Sequence, residues 1–534
     1  MTKIIYKDIA PGAAEETTAV MSDLQPFTPI GELMTGGTAQ KISTLEDGYS
    51  LMDDTFLLFP DDPSEVWWGA WSKSMSGEDG TFETPIVLTL SMPQQHTSVG
   101  MTIEFDPFEP NWCTDLNIKW YNDDTLLADQ DFTPDAASYA CIYEVRNYNK
   151  VVITFRAMSK PYRYLKLKTP LYGIERDFGM DELRSVNLLQ GCSPISEELE
   201  INTMDCTISS RDPVPFIFQR KQPMEVYHNG ILQGVTFITG ATRSGMSLYD
   251  IETSDKVGLS DESTHAGGVY SGITFAALVG EILCGAFAYE IDAALRGIAL
   301  SGWLPIATKR ENLAQAAFAV GAIVDTSMSD RIRIFSPPTE ISSTFGADRI
   351  FSGGTIETTA LVTAVEITEH TYKQGTEESE LYNDTLSGTA RVTFGEPMHS
   401  LSITGGTIAA QGANWADITG TGGTVILSGK AYLHQTRAIT LQNPDVSAAD
   451  AENIVQVTDA TLVTASNSSA VAQRVYDRYQ MRESVTCDVV LNNEKPGDRV
   501  TVETEFAGTK TGTILSIDTN LTNKRIGRMV ILCD

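Results

Sequence analysis

Several features that are common in enzymes are missing from this sequence of 534 residues. It contains no HExxH, GxSxG or paired CxxC motif, so no catalytic or metal-ligating signature stands out. Its six histidines are far apart in sequence and lack the short spacing that metal ligands usually share. The sequence therefore predicts no catalytic residue, no metal site and no cofactor.

Basic residues are scarce. There are 38 Lys and Arg against 70 Asp and Glu, a net charge of −32, and no long basic run. Sequence-independent nucleic-acid binding depends on Lys and Arg neutralising phosphates, so this balance argues against it. An acidic surface repels DNA and would suit a wall past which DNA slides. The plainer interpretation is that the acidity keeps the protein soluble.

Long apolar runs are also absent. The N-terminus has no run that suits a signal peptide, and residues 275–289 form a stretch too short to span a bilayer and carry Glu281. We therefore expect no secretory leader and no stable membrane insertion. The seven cysteines are scattered, which is typical of reduced thiols in a protein made in a cytosol.

The residues that are abundant favour strands. The 42 glycines and many Thr, Val and Ile residues favour a β-rich chain with tight turns. Short alternating segments such as 101–105 and 116–120 predict an antiparallel β-sandwich over residues 46–172, after an extended N-terminal arm at 1–45. Further strands follow, with a hairpin turn at Asn229-Gly230.

Three segments have helical periodicity instead. Residues 274–294 predict a helix, and Thr308 with Glu311 forms a capping-box signature opening a second helix that should reach Val324. A third helix is predicted at 468–482. The predicted fold class is mainly β with an α/β subdomain in a multidomain chain.

Aromatic residues cluster in the first predicted sandwich. Trp67, Trp68, Trp71 and Trp112 are candidate carbohydrate-binding residues, because aromatic faces stack on sugar rings. The alternative is that these tryptophans fill the core, which we expect for Trp120 because it alternates with Leu116 and Ile118. Carboxylates near aromatic residues also leave a glycosidase pair open as an alternative.

Three segments in the second half of the chain resemble one protein family. They are GWLPI at 302–306, RENLAQAA at 310–317 and RIRIF at 331–335, which together resemble the α/β domain of bacteriophage tail tip or baseplate hub proteins. PGDRV at 496–500 and GTILS at 512–516 resemble the end of the second tube-like barrel of that family. QPMEVYHNGI at 222–231 is similar to its first barrel, and the tryptophan-rich region resembles a galactose-binding-like β-sandwich.

This resemblance implies a domain order. A galactose-binding-like β-sandwich at 46–172 would be followed by a first tail-tube-like β-barrel at 173–265 and an inserted α/β domain at 266–340. A second barrel at 341–534 would carry a β-rich flap at about 380–465 and the helix at 468–482.

The resemblance also implies a function, which is that of a structural protein and not of an enzyme. Such hubs form a trimeric ring that closes the tail tube and attaches host-recognition or cell-puncturing parts in the virion. The implied partners are the chain itself as a homotrimer, the tail tube and distal tail proteins, and further a tape-measure protein, a central spike or fibres, and a host surface glycan. One alternative is a receptor-binding, carbohydrate-binding tail protein. Another is a tail-associated cell-wall hydrolase, which we expect less because little sequence follows the last hub-like strand.

Overall fold

Strands dominate the chain. The computed structural model describes residues 1–25, 30, 33, 43–44, 46–47, 53, 55, 69–105, 111–195, 197–212, 214–446, 451–522 and 525–534. Strands account for 58% and helices for 10%, so the prediction of a mainly β protein is confirmed. None of the helices in these ranges is long and apolar enough to cross a membrane.

The chain divides into two compact units. The N-terminal unit consists of Ile4–Phe178 and Ser210–Met224, and the C-terminal unit consists of Met1–Lys3, Gly179–Ser209 and Glu225–Asp534. The first elements are β1 (Thr2–Ile9), α1 (Ala13–Glu16), β2 (Thr18–Met21), β3 (Ala70–Met75), β4 (Thr81–Glu104), β5 (Cys113–Asn122), β6 (Thr125–Phe132), β7 (Ser138–Met158), β8 (Tyr164–Leu167) and β9 (Gly173–Phe178).

The N-terminal unit is built on a five-stranded antiparallel sheet in the order β2-β4-β7-β5-β6, with β3 paired to β8. Alternate side chains of a strand point to opposite faces, so Met101, Ile103, Leu116, Ile118 and Trp120 are all buried in its core. The prediction that Trp120 is a core residue is confirmed.

Strands β4 and β7 are unusually long and change register several times between Ser91 and Gly100. Gly100 has φ +135°, and a Cβ there would lie 2.1 Å from the carbonyl oxygen of Cys141. A glycine is therefore needed for the close approach of the two backbones. These irregularities let one strand continue where the sequence alone suggests two.

The C-terminal unit begins with five strands and continues into an α/β region. Its elements are β10 (Leu183–Gly191), β11 (Thr203–Ser209), β12 (Pro223–His228), β13 (Ile231–Arg243), β14 (Leu248–Ser254), α2 (Lys256–Ser260), β15 (Thr264–His265), β16 (Gly268–Thr274), α3 (Phe275–Leu283), β17 (Tyr289–Ile291), α4 (Ala293–Arg296), β18 (Ala299–Leu304), β19 (Ala307–Thr308), α5 (Lys309–Val320), β20 (Ile323–Asp325) and β21 (Ile332–Phe335). Helices α3 and α5 pack with the sheet β17-β21-β20 around one apolar core, so the predicted α/β subdomain is present.

The remaining elements form a long hairpin and a second group of strands. They are β22 (Ile341–Phe345), β23 (Thr355–Thr358), β24 (Ala364–Thr393), β25 (Met398–Thr404), β26 (Gly406–Gln411), β27 (Trp415–Gln442), β28 (Ile454–Val457), α6 (Ser468–Gln480), β29 (Glu483–Val490), β30 (Arg499–Thr504), β31 (Gly508–Asn520) and β32 (Ile526–Cys533). Strands β24 and β27 pair over nearly their whole length and, with β25 and β26, enclose a small core of their own.

Helix α5 begins as predicted and ends earlier than predicted. The Thr308 hydroxyl accepts a hydrogen bond from the Glu311 backbone N–H, and the Glu311 carboxylate accepts one from the Thr308 N–H, which confirms the capping box. The expectation that this helix reaches Val324 is wrong. Gly321 ends it in the left-handed region, and Ile323–Asp325 then form β20.

The helix predicted at 274–294 is also shorter than expected. It ends at Leu283 because Cys284 adopts a left-handed conformation, with φ +47°, and β17 and α4 follow. Helix α6 covers Ser468–Gln480 of the predicted 468–482.

Gly321→Ala should destabilise the protein by about 1–3 kcal/mol, because Gly321 has φ +76° and its Cβ would meet the Arg474 side chain at 2.5 Å. Arg474 cannot easily move away, since its guanidinium donates a 2.9 Å hydrogen bond to the Ala319 carbonyl. Urea unfolding measures the change in the free energy of unfolding. The control is Gly297→Ala, at φ −89° with open space around it. An equal loss in both variants would contradict this account.

Candidate assembly surface

The tryptophans predicted to bind carbohydrate differ in their surroundings. Trp67 and Trp68 lie outside the described residues. Trp71 is 2% exposed, and the Lys166 ammonium lies 4.6 Å from its ring centre. Trp112 is half-buried and packs against the core of the N-terminal unit. The burial of Trp71 agrees with the alternative that these tryptophans fill the core. Carbohydrate binding by the four residues stays a prediction.

The described residues contain no group of three or more His, Cys, Asp or Glu side chains arranged to hold a metal ion. All seven cysteines lie in the described ranges and carry free thiols. Burial raises the pKa of Cys113 to about 11 and that of Cys206 to about 12. Buried thiols with raised pKa values are poor nucleophiles, so these two are structural residues.

The most informative feature of the C-terminal unit is an internal repeat. Repeat 1 consists of neighbouring strands in the order β10-β11-β14-β13-β12, and repeat 2 consists of β23-β29-β32-β31-β30 in the same order. In both, a six-residue strand precedes a hairpin, a 13-residue strand and a shorter return strand. The same strand arrangement therefore occurs twice in the C-terminal unit.

The two repeats also match residue by residue. In β13 the register shifts between Ile238 and Gly240, and in β31 it shifts at the corresponding place, between Ile514 and Ser516. A β-bulge at the same position of two strands fixes their alignment. The inward residues agree as well, since β11 buries Met204, Cys206 and Ile208 where β29 buries Val485, Cys487 and Val489.

The repeats are joined edge to edge inside one chain. Strand β10 of repeat 1 pairs antiparallel with the second half of β31 of repeat 2, from Asn187 opposite Asn520 to Gly191 opposite Ser516. Further backbone bonds extend this junction, from the Cys192 N–H to the Leu515 carbonyl and from the Leu521 N–H to the Val186 carbonyl. We call this pairing the intrachain junction.

A buried polar network holds the end of β10 at the junction. The side-chain oxygen of Asn202 accepts a 2.8 Å hydrogen bond from the Gly191 N–H. The side-chain NH2 group of Asn202 donates a 2.9 Å hydrogen bond to the Thr326 hydroxyl. Thr326 in turn donates to the Asp255 carboxylate at 2.6 Å. Asp255 also caps α2 by accepting from the Gly258 N–H. The network thus ties β10, α2 and the residues after β20 together.

Two carboxylates in this network are almost completely buried. Asp255 is 1% exposed and Asp325 is 2% exposed. Burial raises the pKa of Asp255 to about 6 and also raises the pKa of Asp325 above its ordinary value. The ionised forms of both carboxylates are destabilised, because their hydrogen bonds to the protein replace only part of the hydration that they lose on burial.

The hairpin turns of the two repeats differ in sequence. Asn229-Gly230 joins β12 to β13, whereas residues 505–507 join β30 to β31, and the turn around Pro496 lies one strand earlier, before β30. The junction between β10 and β31 has no comparable signal, because its partners lie more than 300 residues apart in sequence.

Replacing Asp255 by Asn should change how stability depends on pH. A folded-state pKa of about 6, against an ordinary value of about 3.9, means that the folded state binds the extra proton. That stabilisation is fully present below about pH 4 and is lost as pH rises through 6, to a total on the order of 3 kcal/mol. Urea unfolding at pH 4 and pH 7 should show Asp255→Asn gaining stability over the parent protein only at the higher pH. If the two proteins differ in their free energy of unfolding by the same amount at both pH values, the raised pKa does not belong to Asp255.

No protein-family model matches the chain, and neither does any curated protein sequence. Solved structures do resemble it. A prophage tail protein gp18 from Listeria monocytogenes is 11% identical, with a TM-score of 0.40. The matched region covers 67% of this chain and 90% of the Listeria protein. The 43 kDa tail protein of prophage MuSo2 from Shewanella oneidensis is 10% identical with a TM-score of 0.42, covering 67% and 95%. A tail protein from Neisseria meningitidis is 12% identical with a TM-score of 0.42, covering 68% and 94%. Similarity of this degree assigns no function by itself.

Proposed function

We propose that this chain is a structural hub subunit of a phage tail tip or baseplate. Three copies would form a ring that closes the tail tube and attaches the host-recognition or cell-puncturing parts. The role is mechanical and not catalytic, and its place is the virion. The observation that carries this proposal is the internal repeat, with its two halves joined edge to edge by the intrachain junction.

A repeated strand arrangement suits a protein that adapts one symmetry to another. Three chains with two repeats each present six similar strand groups around an axis. A ring of this kind is compatible with both a sixfold tube and a threefold tip. Joining the repeats by strand pairing also removes exposed sheet edges, which otherwise favour uncontrolled association.

The residues that resemble the hub family occupy ordered parts of the C-terminal unit. GWLPI falls at the end of β18, RENLAQAA lies within α5, and RIRIF coincides with β21. PGDRV leads into β30, and GTILS lies in β31 beside the intrachain junction. These motifs therefore lie in the α/β region and in repeat 2, and QPMEVYHNGI at 222–231 lies in β12 and the turn to β13 of repeat 1.

The net charge of −32 supports the same role. A ring around the path of DNA must not retain it, and acidic surfaces repel phosphates. The proposed partners are further copies of this chain, the tail tube and distal tail proteins, and beyond them a tape-measure protein and a central spike or fibres.

The proposal predicts the mass of the purified protein in solution. Light scattering on the chromatographic peak should give three times the chain mass of 58.2 kDa, and negative-stain images of that peak should show a threefold ring with a central hole. A protein that stays monomeric at every concentration, including in the presence of tail-tube protein, would contradict the ring.

The receptor-binding alternative rests on the N-terminal unit, where Trp112 is half-buried. If this unit binds sugar, the full chain should label a glycan array, and Trp112→Ala should lose that signal while the mass in solution stays the same. The control is Leu126→Ala, at an exposed leucine of the same unit. An array without any binding, or equal loss in both variants, would reject a sugar site at Trp112.

A further inference from the structure

The long hairpin of the C-terminal unit has two parts. Strands β24 and β27 pair without interruption up to Gln374 opposite Tyr432, and pairing resumes at Glu378 opposite Lys430. We call residues 378–430 the distal hairpin, which contains β25, β26 and the small apolar core. A register shift interrupts the ladder of hydrogen bonds, so the distal hairpin can bend at this point relative to the rest of its unit.

The Asn414 side chain fastens the distal hairpin to the α/β region. Asn414 is 1% exposed, and its NH2 group donates to the carbonyl oxygens of Leu304 at 2.8 Å and of Ala266 at 2.9 Å. Its side-chain oxygen accepts a 2.7 Å hydrogen bond from the indole N–H of Trp303. We call these three hydrogen bonds the Asn414 clasp.

A row of aromatic rings leads from the Asn414 clasp to the base of the hairpin. The centre of the Trp303 ring lies 5.8 Å from that of Tyr372 in β24. Tyr372 is stacked on His434 of β27, with ring centres 4.6 Å apart and planes that differ by 2°. His434 in turn is hydrogen-bonded to His370. A displacement of His434 is therefore passed through ring contacts to Trp303, which is part of the clasp.

The hydrogen bond between His370 and His434 runs in the plane of both rings. Nδ1 of His370 and Nε2 of His434 are 2.9 Å apart, the ring centres are 5.2 Å apart, and the planes differ by 8°. The two nitrogens therefore lie almost on the line between the ring centres. His370 is 4% exposed, whereas His434 is exposed and can exchange protons with water.

This geometry makes the bond sensitive to a second proton. A single charged ring still donates to the neutral nitrogen of the other ring, so the bond survives the first protonation. When both rings are charged, both facing nitrogens carry hydrogens, the bond is lost and two positive charges face each other. Burial and the neighbouring His434 lower the pKa of His370, while the Thr458 backbone and the Asp459 carboxylate oppose this effect.

Several tyrosines are packed around the pair. Tyr270 of β16, Tyr372 of β24 and Tyr432 of β27 line the same cavity of about 530 Å³ as His370. Burial raises the pKa of Tyr372 to about 12 and also raises that of Tyr270. Tyrosines titrate far above neutral pH, so these rings stay neutral in acid. Asp459, which follows β28, is the carboxylate that acts on His370.

Two further carboxylates near the pair are already engaged. Glu369 precedes His370 and points to the opposite face of β24, where it accepts hydrogen bonds from Arg437 at 2.7 Å and from Ser468 at 2.6 Å. Glu281 of α3 accepts a 2.7 Å hydrogen bond from the Tyr270 hydroxyl. The acid response of this site is therefore expected to come from the two histidines.

We propose that the hydrogen bond between His370 and His434 is an acid-sensitive latch of the distal hairpin. At neutral pH the bond holds Tyr372 and Trp303 in place, and the Asn414 clasp stays closed. When the second proton enters, His434 is displaced, the row of rings loses its support and the distal hairpin is released from the α/β region. This device depends only on the fold of the C-terminal unit and is independent of the proposed hub function.

The direction of the pH dependence follows from the lowered pKa of His370. A freely exposed histidine titrates near about pH 6.5, whereas the latched state takes up its second proton only at lower pH. The open state therefore binds more protons in acid. The latched state is fully favoured above about pH 6.5 and loses up to about tenfold in its equilibrium with the open state for each pH unit below it.

Hydrogen–deuterium exchange of the full chain at about pH 7.5 and about pH 5, corrected for the intrinsic pH dependence of exchange, tests the latch. Peptides from the distal hairpin should exchange up to about 30-fold faster at the lower pH. Peptides from β10 and β11 should not, because the buried carboxylate of Asp255 favours the folded state in acid.

Substitutions assign the response to the pair. His434→Gln should remove the difference, because its amide can either donate to His370 or accept from it and carries no charge. The matched control is His399→Gln, at a half-buried histidine within the distal hairpin, which should keep the parent response. Asn414→Ala opens the clasp without a proton, so its distal hairpin should exchange rapidly at both pH values.

A parent protein whose distal hairpin exchanges equally at both pH values overturns the proposal. So does an acid response that persists unchanged in His434→Gln, or one that is equally large in β10 and β11. If His434→Gln already loosens the hairpin at neutral pH, His370→Gln decides, since it removes the same second proton and keeps His434 against Tyr372. An acid response retained in His370→Gln likewise overturns the latch.

Discussion

The pairing of β10 with β31 is the interaction on which the arrangement of the C-terminal unit depends. It brings together residues from opposite ends of that unit, and backbone hydrogen bonds from Asn187 to Gly191 hold them. Closing so long a loop costs entropy before any contact repays it, so the junction needs support from elsewhere. The Asn202 network gives that support by fixing Gly191, the final residue of β10, to α2 and to the residues after β20.

A second buried polar cluster performs a comparable task in the N-terminal unit. The Arg176 guanidinium donates to the Asp8 and Asp212 carboxylates and to the backbone carbonyls of Val214 and Pro215. The hydrogen bonds to all five donors of this arginine offset much of the free energy that its burial costs. The cluster holds the segment Ser210–Met224 against β1 and β9, although the strands β11 and β12 that flank this segment belong mainly to the other unit.

The two repeats show how one strand arrangement can serve two purposes. Their inward faces are alike, with apolar residues at matching positions of β11 and β29. Their edges differ, because β31 of repeat 2 pairs with β10, whereas no strand among the described residues pairs with residues 240–243 of β13 on the equivalent side.

Local patterns in the sequence were sufficient where neighbouring residues determine the structure. The capping box at Thr308, the hairpin at Asn229-Gly230 and the burial of Trp120 all follow from short-range spacing, and the fold class follows from composition and alternation. The helix expected to reach Val324 is shorter because Gly321 ends it in the left-handed region and Ile323–Asp325 pair with β21.

The candidate assembly surface lies beyond such reasoning. The resemblance to hub proteins depends on the order of the motifs. Of the four candidate carbohydrate-binding tryptophans, Trp71 is almost fully buried, and carbohydrate binding by these residues stays a prediction. By itself the sequence determined the strand-rich class, the presence of an α/β subdomain, the acidic net charge and the absence of recognisable catalytic motifs, because each depends on residue type and local spacing. Only the tertiary structure decided that two strand groups repeat and that β10 pairs with β31, because strand register between distant segments is set by packing and backbone hydrogen bonding.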